Sequence, residues 1–253
     1  MRAMKQFIYG ALYLTVIGAV IYGLYWVVIQ PGASCFDNRR NQGEEEVDCG
    51  GPCLPCALKT LKSLEVSTTI FPIGGNTNLI INFSNPNLDY GAESFGYTIN
   101  FKNSAGSNIF SLERESFIYP AEVSKTIIDP NLPVSFSSIF GLPEIIIGDD
   151  IIWKSTAEFF KPRTSIRQIR AEISGTTASV TGILTNQEPF GLNRVVASAV
   201  ISKKSNNKPI GASKTILQDI QPFEERGFKI TVPISEALNF LEADTQVFVD
   251  AVR

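Results

Sequence analysis

Residues 7–29 run without a charged side chain, and a helix of about 20 apolar residues is what a bilayer core requires. A buried core helix is the bland alternative. It fits poorly, because a cylinder apolar on every side at the very end of the chain has nothing to enclose it. A secretory signal has a shorter apolar core, about 7–15 residues, followed by small residues at a cleavage point. Gly32-Ala33-Ser34 would serve as such a point, so cleavage stays open as the second reading. Tyr22, Tyr25 and Trp26 sit toward the far end of the run, where aromatic side chains favour the membrane interface. Arg2 and Lys5 precede the helix, and Asp37, Glu44, Glu45, Glu46 and Asp48 follow it. Arg39 and Arg40 weaken the contrast without reversing it. The expected topology is a cytoplasmic segment at 1–6, a single membrane span at 7–29 and the bulk of the chain outside the cell.

All four cysteines lie just beyond the span, at Cys35, Cys49, Cys53 and Cys56. The segment 30–57 that holds them is polar, rich in turn formers and too poor in apolar residues to build a core. In an oxidising compartment disulfides are the usual remedy, and three pairings are open. A zinc site made of all four sulfurs is the alternative, although only Cys53 and Cys56 have the C-x-x-C spacing that zinc ribbons show twice. Asp37, Asn41, Glu44 and Asp48 supply hard oxygen atoms at short intervals, as calcium prefers. No EF-hand spacing is present, so a solvated acidic loop competes with that calcium reading.

Beyond residue 61 the apolar period is two. Strands are expected at 64–70, 78–84, 95–101, 116–128 and 151–159. After a boundary near Lys161-Pro-Arg-Thr they resume at 169–174, 179–185, 194–202, 210–217, 227–232 and 246–252. Short strands with turn signals between them indicate β-sandwiches, here at 58–161 and 162–253. The two halves also resemble each other at an offset near one hundred residues. Ile81-Asn-Phe-Ser-Asn85 parallels Ile183-Leu-Thr-Asn186, and Tyr119-Pro120 parallels Gln221-Pro222. The expected core of the second half is Ile173, Val180, Ile183, Val196, Val200, Ile216, Phe228, Ile230, Phe248 and Val252.

Two resemblances add to this. Cys35, Asp37, Asn41, Gln42, Glu44, Asp48, Cys49, Gly50, Gly51, Cys53 and Cys56 match a motif of exported bacterial proteins, C-x-D-G-x-x-N-Q-x-E-x-x-x-D-C-G-G-x-C-x-x-C. Asn38 stands where the motif has Gly, and Asn tolerates the left-handed backbone that such a turn needs. Val180-Thr-Gly-Ile-Leu-Thr-Asn186, Lys208-Pro-Ile-Gly-Ala-Ser213 and Ile220-Gln-Pro-Phe223 resemble the FxLYD-type domain and related immunoglobulin-like sandwiches of bacterial envelopes. Val200-Ile-Ser-Lys-Lys204 replaces that family's Phe-x-Leu-Tyr-Asp stretch. The resemblances imply an envelope location and carry no catalytic residues.

The chain has no histidine, which removes Ser-His-Asp and Cys-His nucleophiles and the commonest general base. With a net charge of −3 and no basic cluster, it is a poor partner for nucleic acid. The expected fold is therefore mainly β, with an N-terminal transmembrane helix, a disulfide-rich linker and two tandem immunoglobulin-like sandwiches. The expected function is a non-enzymatic binding or scaffold protein of the envelope, meeting a protein or a glycan. An envelope enzyme or assembly factor using carboxylate or Ser-Lys chemistry is the alternative. Phe136, Phe140 and Ile145, in an apolar stretch broken by glycine and proline, are the candidate partner-binding residues. A connection folded across the open end of the first sandwich is the preferred reading of the stretch, because exposed apolar patches are rare on soluble surfaces.

Overall fold

A computed structural model describes residues 2–25, 34–237 and 240–253. The chain divides into two compact units, Met1–Leu61 and Lys62–Arg253.

In the first unit, helix α1 spans Arg2–Leu24, and none of its side chains from Met4 onward is buried. It is long and apolar enough to cross a membrane, a test that a secretory signal also passes. Trp26 and the rest of the expected span to residue 29 lie outside the described residues, as do Gly32 and Ala33.

The second unit is built of strands: β1 (Glu65–Ile73), β2 (Asn76–Ser84), β3 (Tyr90–Lys102), β4 (Asn108–Ile118), β5 (Lys125–Ser135), β6 (Glu144–Ile147), β7 (Ile152–Ser155), β8 (Thr164–Ser174), β9 (Thr177–Asn186), β10 (Leu192–Lys203), β11 (Pro209–Ile220), β12 (Glu225–Pro233) and β13 (Ala243–Val252). They form four sheets, β1-β2-β5 and β4-β3-β6 followed by β8-β9-β12 and β11-β10-β13, with β7 also paired to β3. The order in the second pair repeats that in the first, and corresponding strands begin at matching offsets, Glu65 with Thr164, Asn76 with Thr177 and Lys125 with Glu225.

Each pair of sheets encloses its own core. Leu79, Ile81, Phe83, Phe95, Ile99 and Phe101 fill the first, where Phe83 meets Phe95 and Tyr97 edge-on with both centroids at 5.1 Å. Val180, Leu184, Val195, Ile201, Ile210 and Ile230 fill the second. A third cluster joins them. Phe71, Ile80 and Ile128, on the outer face of β1-β2-β5, pack with Val200 and Ala212 on the outer face of β11-β10-β13. Sheets of the two sandwiches are therefore stacked face to face, and the strands at that contact are apolar on both sides.

This stacking corrects the expected core of β10. Val195, Ala197, Ala199 and Ile201 point into the second sandwich, whereas Val200 faces the first and Val196 is half-buried beside it. Ile183 is half-buried on the outer face of β9, and Ile216 is exposed. Alternation locates a strand but cannot select its inward face when both faces are covered.

Two expected strands are also shorter. The run at 116–128 is broken by a turn at Tyr119-Pro120-Ala121-Glu122, with Pro in the position that favours turns, Ala121 at φ 54° and Glu122 N–H donating to Tyr119 O. The run at 151–159 ends at Ser155, beyond which the chain turns with the Glu158 and Phe159 N–H groups donating to Ser155 O.

Candidate functional site

The cysteine segment closes on two interlocked disulfides, Cys35–Cys53 and Cys49–Cys56, with Cα separations of 5.6 and 4.9 Å, in the ordinary range. Each sulfur is committed to a partner and none remains as a thiolate for zinc. Backbone freedom is needed at Gly51, φ 59°, where a Cβ would come within 2.4 Å of Gly43 O. Asn38 takes the left-handed conformation expected of it, φ 56°.

The four oxygen-bearing residues proposed for calcium do converge; the carboxylates of Asp37, Glu44 and Asp48 accept from their own segment, whereas Asn41 Oδ1 is buried and meets no donor among the described residues. Asp48 Oδ1 accepts from Asp37 N–H at 3.0 Å and Asn38 N–H at 3.1 Å, and the buried Glu44 Oε2 accepts from the amides of Asn41 and Asp48, both at 3.2 Å. Asp37 Oδ2 accepts from Asn41 Nδ2 at 2.8 Å, which holds its carboxyl below the usual range. Glu44 Oε1 lies 3.2 Å from Cys53 Sγ, a contact without a hydrogen bond because a disulfide sulfur carries no proton. These carboxylates organise the turns of a segment that has no core.

The apolar stretch of the first sandwich divides. Ile145 and Ile139 pack against the core and Phe136 is half-buried, whereas Phe140 and Leu142 are 68% and 65% exposed. Ile145 lies on β6, paired to β3, so it is a structural position. Asp149 and Asp150 are exposed in the following turn. Asn82, the first residue of the glycosylation sequon Asn82-Phe83-Ser84, lies in β2 with its Oδ1 accepting from Thr126 Oγ1 at 2.8 Å, a structural use of that side chain.

The sequence reading missed the junction of the two sandwiches. There Tyr119 Oη donates to Ala251 O at 2.6 Å, and Lys125 Nζ lies 3.2 Å from Asp250 Oδ1 and 3.3 Å from the centre of the Phe117 ring. The Lys125 side chain is 2% exposed. Burial lowers its pKa, opposed chiefly by Asp250, and burial raises that of Asp250, opposed by Lys125. Glu122, paired with Lys161, adds negative charge beside them.

Next to this pair lies a pocket of about 280 Å³, just under the range of about 300–1,000 Å³ usual for ligand sites. Its walls are aromatic. Tyr119 stacks on Phe159 with centroids 4.5 Å apart, Phe117 meets both edge-on, and Phe160 meets Phe190 edge-on at 6.1 Å. Glu93 and Glu158 line its rim, and the guanidinium of Arg253 sits 4.6 Å from the Phe190 centroid. The rings come from β4, from the stretch after β7 and from the turn before β10, so no local spacing announces them. The adjacent Phe159-Phe160 pair is the one visible signal. The chain matches no known protein family and no curated protein.

Proposed function

We propose that α1 anchors the chain in a membrane with its N-terminus in the cytoplasm, and that the β unit acts outside as a binding or scaffold module of the cell envelope. One observation carries the reading. Every cysteine of the chain is joined in a disulfide shortly after an apolar helix, and such bonds persist in oxidising compartments. The charge bias around the helix supports the orientation. The repeated sheet order, β1-β2-β5 with β4-β3-β6 and β8-β9-β12 with β11-β10-β13, supports an immunoglobulin-like reading of both sandwiches. The lack of histidine favours binding over catalysis, and loops and edge strands of sandwiches suit protein or glycan partners. Differential alkylation of the protein in its native membrane tests this. All four cysteines should resist alkylation until reduced; four reactive thiols with stoichiometric zinc would contradict it.

A further inference from the structure

We infer that the aromatic pocket at the sandwich junction binds an organic cation, an alkylammonium or guanidinium group. The faces of aromatic rings carry partial negative charge and attract weakly hydrated cations within about 6 Å of their centres. Phe159 and Phe190 are half-buried and Phe160 is 43% exposed, so ring surface is open to a ligand. Glu93 and Glu158 add full negative charge at the rim. Glu158 Oε2 is held by Ser155 Oγ at 3.1 Å, and the Glu93 carboxylate is engaged by no described residue. An anionic ligand would meet two carboxylates, and a purely apolar one would strip their water without replacing it.

The chain itself supplies the second observation. Its Arg253 guanidinium, an exposed cation, already rests against Phe190. Lys125 makes the same kind of contact with Phe117 in the adjoining cluster. Arg253 thus lines the pocket as an internal stand-in on one of its rings, and an external cation that uses the Phe190 face must displace it. This deepens the binding reading by naming the chemistry of one ligand, and it holds on whichever side of a membrane the unit lies.

The test is calorimetric titration of the full chain in detergent micelles. Choline, N-acetylarginine amide and 3,3-dimethylbutanol, the uncharged carbon counterpart of choline, are the probes. Arg253→Ala removes the competitor and should tighten binding of both cations by about tenfold relative to the native chain. Adding Glu93→Gln to that variant should reverse most of the gain, and the uncharged probe should not bind. Arg253→Ala with an unchanged unfolding midpoint but no saturable binding of either cation would overturn the inference. So would equal binding of choline and its uncharged counterpart, which would make the pocket merely apolar. A topology opposite to the one proposed would leave these titrations unchanged, so the two readings fail separately.

Discussion

Asn85 and Asn186 perform one task in two places. Asn85 Nδ2 donates to Tyr90 O at 2.7 Å and Tyr119 O at 3.0 Å; Asn186 Nδ2 donates to Phe190 O at 2.8 Å and Gln221 O at 3.0 Å. Each Oδ1 accepts from the amide two residues on, Asn87 or Glu188, at 3.0 Å. Each backbone amide donates at 2.9 Å to the corresponding glutamate carbonyl, Glu122 or Glu224. The bracket ties the end of the second strand of each sandwich to the turn before the fifth. Its recurrence gives the internal repeat a shared physical cause.

Replacing Asn85 or Asn186 with Ala removes both side-chain donors and leaves the buried Asn87 or Glu188 amide without its acceptor, while Tyr119 O and Gln221 O keep the turn amides of Glu122 and Glu224. Each substitution should cost about 2–4 kcal/mol, since an unmet buried polar group costs about 1–3 kcal/mol and each lost hydrogen bond about 1 kcal/mol. Urea unfolding of the single variants measures this, and similar losses are expected because the partners are equivalent.

The two faces of β10 should respond differently. Ile201→Asp places a carboxylate in the second core and should cost more than about 4 kcal/mol, abolishing folding. Val200→Asp attacks the contact between the sandwiches and should destabilise by about 2–3 kcal/mol while leaving both β cores assembled. Far-UV spectra and thermal midpoints of both variants distinguish these outcomes.

Lys125 and Asp250 form a junction pair whose lysine is almost wholly desolvated. Lys125→Met alone leaves the Asp250 carboxylate without its cation and should cost about 3–5 kcal/mol, whereas Lys125→Met with Asp250→Leu should recover most of that loss. A double-mutant cycle by denaturant unfolding supplies the comparison.

Acid should weaken the second sandwich first through Glu188 and Glu224. The Arg163 amide, then its guanidinium, depresses Glu188; the Gln221 amide, then Arg226, depresses Glu224. A carboxylate with a lowered folded pKa contributes fully above its ordinary value of 4.5. That contribution is lost as pH falls through the folded value, because unfolding then takes up protons. The urea midpoint should therefore drop between about pH 5 and pH 3, and the Glu188→Gln/Glu224→Gln variant should show a shallower drop.

The apolar helix, the cysteine cluster, the β class and the repeat are legible in the sequence because each rests on a local pattern. Residues 7–29 lack charge, and Asn85 and Asn186 stand in matching contexts. The disulfide pairing is not legible, since Cys49 is near enough in sequence to several partners. Nor is the inward face of β10, because Val200 and Ile201 are both covered, by different sandwiches. The aromatic pocket escapes local reading altogether, as Phe117, Phe159 and Phe190 meet only after both sandwiches have formed.

The orientation of the β unit carries the functional proposal, and protease added to intact cells producing the full chain with a C-terminal epitope tests it most directly. Loss of the epitope from intact cells is expected, with only a small fragment containing α1 left in the membrane. Survival of the full-length chain until the membrane is permeabilised would contradict it.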